Sequence, residues 1–213
     1  MAGGARVLTV AQQKGGAGKT TLVIQLATAL AETGRRIAVV DIDPQGSLTA
    51  WMRQRERRGD AVPELRFSMV GGWRLSVELD RLRGEHDIVL VDSPPHAETD
   101  AKVAIRAADL VLVPCQPSLL DVWASAPTVE LAAKEKRPVA LVLNRVPSRG
   151  KGVDEARTAL ARLGCPMLAA NLGSRQAFFA AVPRGLGVVE SEPRSAAADE
   201  ARAVATEVMA LAR

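Results

Sequence analysis

The sequence predicts an α/β fold: a doubly wound, mostly parallel sheet with helices on both faces. Three observations predict it. Short, β-branched-rich apolar runs alternate with helix-length amphipathic stretches along the 213 residues. The runs are apolar throughout rather than at every second position, as strands covered on both faces must be. Turn-forming residues bound each of them.

In order along the chain, the predicted strands are "RVLTVA" (6–11), "IAVVD" (37–41), "DIVLVD" (87–92), "LVLVP" (110–114) and "VALVLN" (139–144). The stretches 19–33, 46–58, 73–83, 99–107, 121–136 and 153–163 have helical periodicity, and 174–182 and 196–212 add two more helices. Right-handed crossovers join such units. Ligands of open α/β sheets sit beyond the carboxyl ends of the strands. The loops after "LTVA", "VVD", "LVD" and "LVLN" are therefore where chemistry is expected.

Length and composition suit one domain over residues 1–213 with a sizeable core. Apolar residues make up 47% of the chain. No window approaches the ~18 uninterrupted apolar residues of a membrane span, and the opening "MAGGARVLTVAQQ" lacks a signal-peptide core. Cys115 and Cys165 do not form a zinc or disulfide framework, so a reducing cytoplasm is expected. The net charge of +4 fits a polyanionic partner without requiring one. Much of the excess lies between Lys134 and Arg162, a run that a solvated surface would also explain.

The stretch Lys14-Gly15-Gly16-Ala17-Gly18-Lys19-Thr20-Thr21 follows the first strand and opens the first helix. Its glycines let successive backbone N–H groups turn toward phosphate oxygens, and the helix N-terminus adds partial positive charge. Lys19 is expected on the β- and γ-phosphates, Thr20 on Mg²⁺ and Thr21 near the α-phosphate. Gln13 stands where a phosphate loop usually has its first glycine. Asp92 ends an apolar strand, where a carboxylate holds Mg²⁺ or its water. Asn144-Arg145-Val146-Pro147 lacks the carboxylate that would accept hydrogen bonds from guanine. Asn144 is expected at the adenine edge and Arg145 stacked on the ring, which favours ATP. His96 pairs with nothing in the sequence and is read as a loop histidine. Asp121 reads equally as a helix cap.

"KGGAGKTT" resembles the deviant Walker A motif of the ParA/MinD family of dimeric ATPases, and the resemblance covers nearly the whole chain. It implies a trans role for Lys14, which would reach the nucleotide of the other subunit. Asp43, in "DIDPQGS", resembles the switch I aspartate that orients the attacking water, with Asp41 nearer the magnesium shell. Ser93-Pro94-Pro95 would be switch II, and "PCQPSLLD" resembles a segment beside the nucleotide and the dimer seam. Basic side chains at Arg149, Lys151, Arg175 and Arg202 fall where DNA-holding members bind the nucleoid without sequence preference. The tail lacks a cationic membrane-binding face, the cysteines do not match a shared iron–sulfur cluster and the chain has no tyrosine; with the first strand beginning at about residue 6, operator reading is not expected. The resemblance thus implies a stand-alone ParA-like ATPase in the cytoplasm. ATP would close a homodimer on DNA, and a ParB-like or cargo-adaptor protein would stimulate hydrolysis. A metabolic or metal-cluster-loading ATPase of the same fold is the alternative.

Overall fold

The computed structural model describes residues 4–95, 98–149 and 152–212. Six strands form one sheet: β1 (Arg6–Val10), β2 (Ile37–Asp41), β3 (Arg66–Met69), β4 (Ile88–Asp92), β5 (Leu110–Cys115) and β6 (Val139–Leu143). Their order is β3-β2-β4-β1-β5-β6, and every pairing is parallel, so the expected mostly parallel sheet is wholly parallel. Strand β3 is an addition to the expectation. It lies at the edge and carries half-buried and exposed residues rather than an apolar run.

The helices are α1 (Lys19–Ala31), α2 (Ser47–Glu56), α3 (Leu75–Glu85), α4 (Glu98–Ala107), α5 (Leu119–Lys134), α6 (Gly152–Ala161), α7 (Gln176–Ala181), α8 (Val188–Ser191) and α9 (Ala196–Leu211). Alternation along each strand divides them between two layers. Leu8, Val39, Leu90, Leu112 and Val142 pack with α1, α2, α8 and α9. On the other face Val111, Val113 and Leu141 pack with α5 and α6, while Val40, Val89 and Val91 pack with α3. With both faces covered, the inner strands and β6 carry almost only apolar residues between their ends, Thr9 being the exception, which is why they read as apolar runs.

Register positions the site. Val10 and Asp41 both stand opposite Asp92, one on each side of β4. The ends of β1, β4 and β2 therefore finish at one level, and the loops that follow converge there.

Candidate phosphate-binding site

The loop from Ala11 to Gly18 leaves β1 and turns into α1. Gly16 and Gly18 have φ of 77° and 93°, values that a side chain disfavours. At Gly18 there is also no room, since a Cβ would run into the Asn144 amide. Gly18 is the N-cap of α1 and offers no side chain to the first-turn N–H groups, which leaves them to a ligand. Asn144, at the end of β6, closes the loop from the far side by donating from Nδ2 to the Ala17 carbonyl at 2.9 Å. Gln116 Nε2 donates to the Gly16 carbonyl at 3.1 Å. Beneath the loop, Gln12 donates to Ser125 Oγ at 2.8 Å and accepts from Thr128. Sequence reading missed these tethers, because their partners lie 100 or more residues away.

A cavity of about 300 Å³ opens in front of this loop, lined by Gly16, Gly18, Lys19, Thr20, Asp43 and Arg145 among others. A larger concavity of about 700 Å³ lies at the amino end of β2, among arginines and glutamates. Phosphate chemistry belongs to the smaller one, at the carboxyl ends of the strands, where the free N–H groups are.

Lys19 is buried, and desolvation pushes its pKa down against the opposing pull of Asp92 and Asp43. Thr20 Oγ1 donates to Asp92 Oδ2 at 2.6 Å. The other oxygen, Asp92 Oδ1, is buried with no hydrogen-bond partner among the described residues. Burial pushes the Asp92 carboxyl up to about 7, opposed by the Thr20 hydrogen bond and raised further by Asp41. A buried carboxylate with one orphaned oxygen beside a threonine hydroxyl fits a hard divalent cation such as Mg²⁺.

Asp41, expected near the magnesium shell, is hydrogen-bonded within its own loop. Oδ1 accepts from the Asp43 N–H at 3.0 Å, and Oδ2 accepts from the Thr49 N–H at 2.9 Å and hydroxyl at 2.7 Å. Both carboxylate oxygens fasten the β2 loop, to Asp43 and to the first turn of α2. Asp43 instead reaches the cavity wall, held by the Gln45 N–H donating to its Oδ1 at 2.9 Å. Asn144, expected at the adenine edge, donates to the Ala17 carbonyl and accepts from the Arg145 N–H. Arg145, at φ 53°, lines the cavity with its guanidinium 5.5 Å from the Phe179 ring centre. Phe179 was not singled out in the sequence, and it supplies the apolar surface that Arg145 rests on.

Lys14 stands apart from Lys19. Its ammonium lies 2.9 Å from Asp121 Oδ1 and outside the cavity lining. Asp121 sits in the first turn of α5, where Ser118 is the N-cap, so Asp121 joins the cap and also pairs with a lysine 107 residues away. Ser93 turns back to the Val10 carbonyl. Of the basic positions expected at DNA, Arg175 is paired with Glu200 at 2.6 Å and Arg202 with Glu32 at 2.8 Å. Arg149 is exposed. Lys151 and His96 lie outside the described residues. Among those residues no helix is long and apolar enough to cross a membrane.

Fold and loop together define a P-loop nucleoside triphosphatase. The family model described as the CobQ/CobB/MinD/ParA nucleotide binding domain matches residues 8–189, and the chain belongs to this family as a ParA/MinD-like ATPase. The chain is 34% identical to the maintenance of carboxysome distribution protein A of Halothiobacillus neapolitanus over 209 residues, 95% of each chain. It is 32% identical to the chromosome-partitioning ATPase Soj of Thermus thermophilus, over 96% of each chain. Among solved structures, the cell division ATPase MinD of Pyrococcus furiosus superposes with a TM-score of 0.83 at 21% identity, over 97% of this chain and 99% of that one. The ATP complex of Cyanothece McdA(D38A) superposes with a TM-score of 0.80 at 17% identity, over 98% and 97%. These structural likenesses concern the fold.

Proposed function

We propose that this protein is an ATP-driven positioning switch. Two copies close face to face around two nucleotides, the closed dimer holds DNA without sequence preference, and a cargo-adaptor protein of ParB-like role stimulates hydrolysis and release. The names of the carboxysome-distribution and chromosome-partitioning relatives support a cargo that is positioned rather than a metabolite that is transformed.

The observation that carries the reading is the separation of the two lysines. Lys19 lines the phosphate cavity, whereas Lys14 lies outside its lining, paired with Asp121, and is 38% exposed along its side chain. A cation placed there serves a phosphate presented from outside, which is what a facing subunit supplies. Two polyphosphates brought face to face repel strongly, and a lysine donated by each subunit makes closure depend on nucleotide.

Within one subunit, the N–H groups of Gly15, Gly16, Ala17 and Gly18 cradle the phosphates. Lys19 neutralises the β- and γ-phosphates, and Thr21 approaches the α-phosphate. Thr20 and Asp92 would hold Mg²⁺, which supplies charge compensation along the polyphosphate when bound. Asp43 orients the water that attacks the γ-phosphate. Asn144 holds the loop to which the nucleotide binds, and Arg145 stacks on adenine beside Phe179.

The test is Lys14→Ala in the full chain. Nucleotide binding to the monomer should stay within about twofold of wild type, while ATP-induced dimers, measured by light scattering, disappear. A variant that dimerises normally with ATP refutes the trans role. Wild-type protein whose DNA retention is the same with and without ATP refutes the switch.

A further inference from the structure

The turn of α2 and the segment just after it read "RQRERR" (53–58), a basic run that the phosphate site does not use. Helical spacing sorts it. Leu48, Trp51, Met52 and Arg55 are buried, so Arg53 and Arg57, four residues apart, share the outward face. Arg55 alone turns inward. Its guanidinium meets both oxygens of Glu190, at 2.7 and 2.9 Å, and donates to the carbonyls of Pro63 and Gly185. That buried pair pins the end of α2 to the segment around Gly185, where a Cβ would collide with the α2 backbone at Gln54 and Arg55. Arg184 is thereby brought to the same end, and Arg58 Nη1 donates to its carbonyl at 3.2 Å.

We propose that Arg53, Arg57, Arg58 and Arg184 form the surface that grips the phosphate backbone of double-stranded DNA. The proposal rests on the DNA-holding switch described above and moves its interface from the positions expected by resemblance. Three observations favour this surface. First, all four arginines are exposed, and their contacts among the described residues are neutral: Arg57 donates to Gln54 Oε1 and Arg58 to a carbonyl. Arg175 and Arg202 are instead engaged by Glu200 and Glu32, and a phosphate would have to displace those carboxylates. Second, Glu56 is the one acidic side chain within the run, against four arginines on α2 and the residues just after it. Phosphate recognition without base reading needs only such a cluster of point charges and forks. Third, α2 starts at the nucleotide. Ser47 lines the cavity, and Asp41 holds the Thr49 N–H and hydroxyl. A ten-residue helix spans ~15 Å, so one rigid element joins the loop that carries Asp43 to the arginines at its far end. The same element that senses nucleotide would present the arginines.

The experiment compares full-length wild type with R53A/R57A/R184A, the Lys-for-Arg version of the same triple, and R175A/R202A. A fluorescent duplex of random sequence is titrated by anisotropy with Mg-ATP across a salt series. The alanine triple should lose at least about tenfold in affinity, and the slope of log affinity against log salt should flatten by ~1 for each contact removed. The lysine triple should keep most of the binding, because charge rather than shape is read. ATP-induced dimerisation should be unchanged in both. An alanine triple that binds DNA with wild-type affinity and slope overturns the assignment, as does a loss of binding that merely follows a loss of dimers. If only R175A/R202A weakens binding, the interface lies around Arg175 and Arg202 and the proposal fails while the switch stands. If wild type itself shows no ATP-dependent DNA binding, the switch reading falls as well.

Discussion

Asp92→Asn isolates the energetic cost of building a cation site before the cation arrives. The Asp92 carboxyl rises from 3.8 to about 7, with desolvation the largest cause. Between those values the native protein binds a proton that the unfolded chain does not, so stability is greatest at the acid side and falls as pH climbs toward 7. A rise of roughly three units at ~1.4 kcal/mol each makes the whole loss about 4 kcal/mol at most, of which roughly 3 kcal/mol falls above pH 5. For a chain of this size that corresponds to a melting temperature lower by about 10 °C. Asparagine keeps the shape and removes the titration. Thermal melts of the ligand-free protein from pH 5 to pH 8.5 should therefore show a steep fall in wild type and a flatter one in the variant, with the variant the more stable at pH 8. Adding Mg-ATP at pH 8 should raise the wild-type melting temperature by several degrees and leave the variant nearly unmoved, because charge compensation by the cation needs the carboxylate. Parallel pH profiles for the two proteins would refute the reasoning, since Asp92 would then not be a strained buried acid.

Two further outcomes follow from the loop and its rim. Gly18→Ala places a Cβ at φ 93° against the Asn144 amide, so nucleotide affinity by calorimetry should fall at least about a hundredfold, with a stability loss of about 1–3 kcal/mol in denaturant melts. Asp121→Asn frees Lys14 from its ion pair; a partly exposed pair of this kind is worth about 1 kcal/mol or less, so the ATP concentration that half-saturates dimerisation should drop by up to about fivefold, read by light scattering.

Sequence reading succeeded where chemistry is local and failed where it is relational. Strands β1, β2, β4, β5 and β6 were legible because burial on both faces leaves them nearly all apolar between their ends. Strand β3 was not, because an edge strand of four residues, Arg66-Phe67-Ser68-Met69, has neither the run nor the length to stand out. The phosphate loop was legible because glycine spacing, a lysine and a hydroxyl must be contiguous in the chain. The division of labour between Asp41 and Asp43 was not. Their two-residue spacing fits either order, and only the Thr49 contacts decide which carboxylate is consumed by the loop. The pairing of Lys14 with Asp121 and of Arg55 with Glu190 joins residues more than 100 positions apart, beyond any periodicity. The same distance hid the tether from Asn144 to the Ala17 carbonyl.

The shared level of Val10, Asp92 and Asp41 also bears on how such a chain tolerates insertion and deletion. The three strands end on one rung, and the distance from Thr20 to Asp92 depends on that alignment rather than on either crossover. Extra residues can enter the connections at the opposite end of the sheet, such as the turn at Gly34, where a side chain would meet open space, without shifting the rung. A single residue gained or lost inside β1, β2 or β4 would exchange its side chains between the two buried faces and carry one arm of the site off the others. Length variation among workable versions of this chain should therefore gather at the amino ends of the strands, and the carboxyl ends should behave as a fixed gauge.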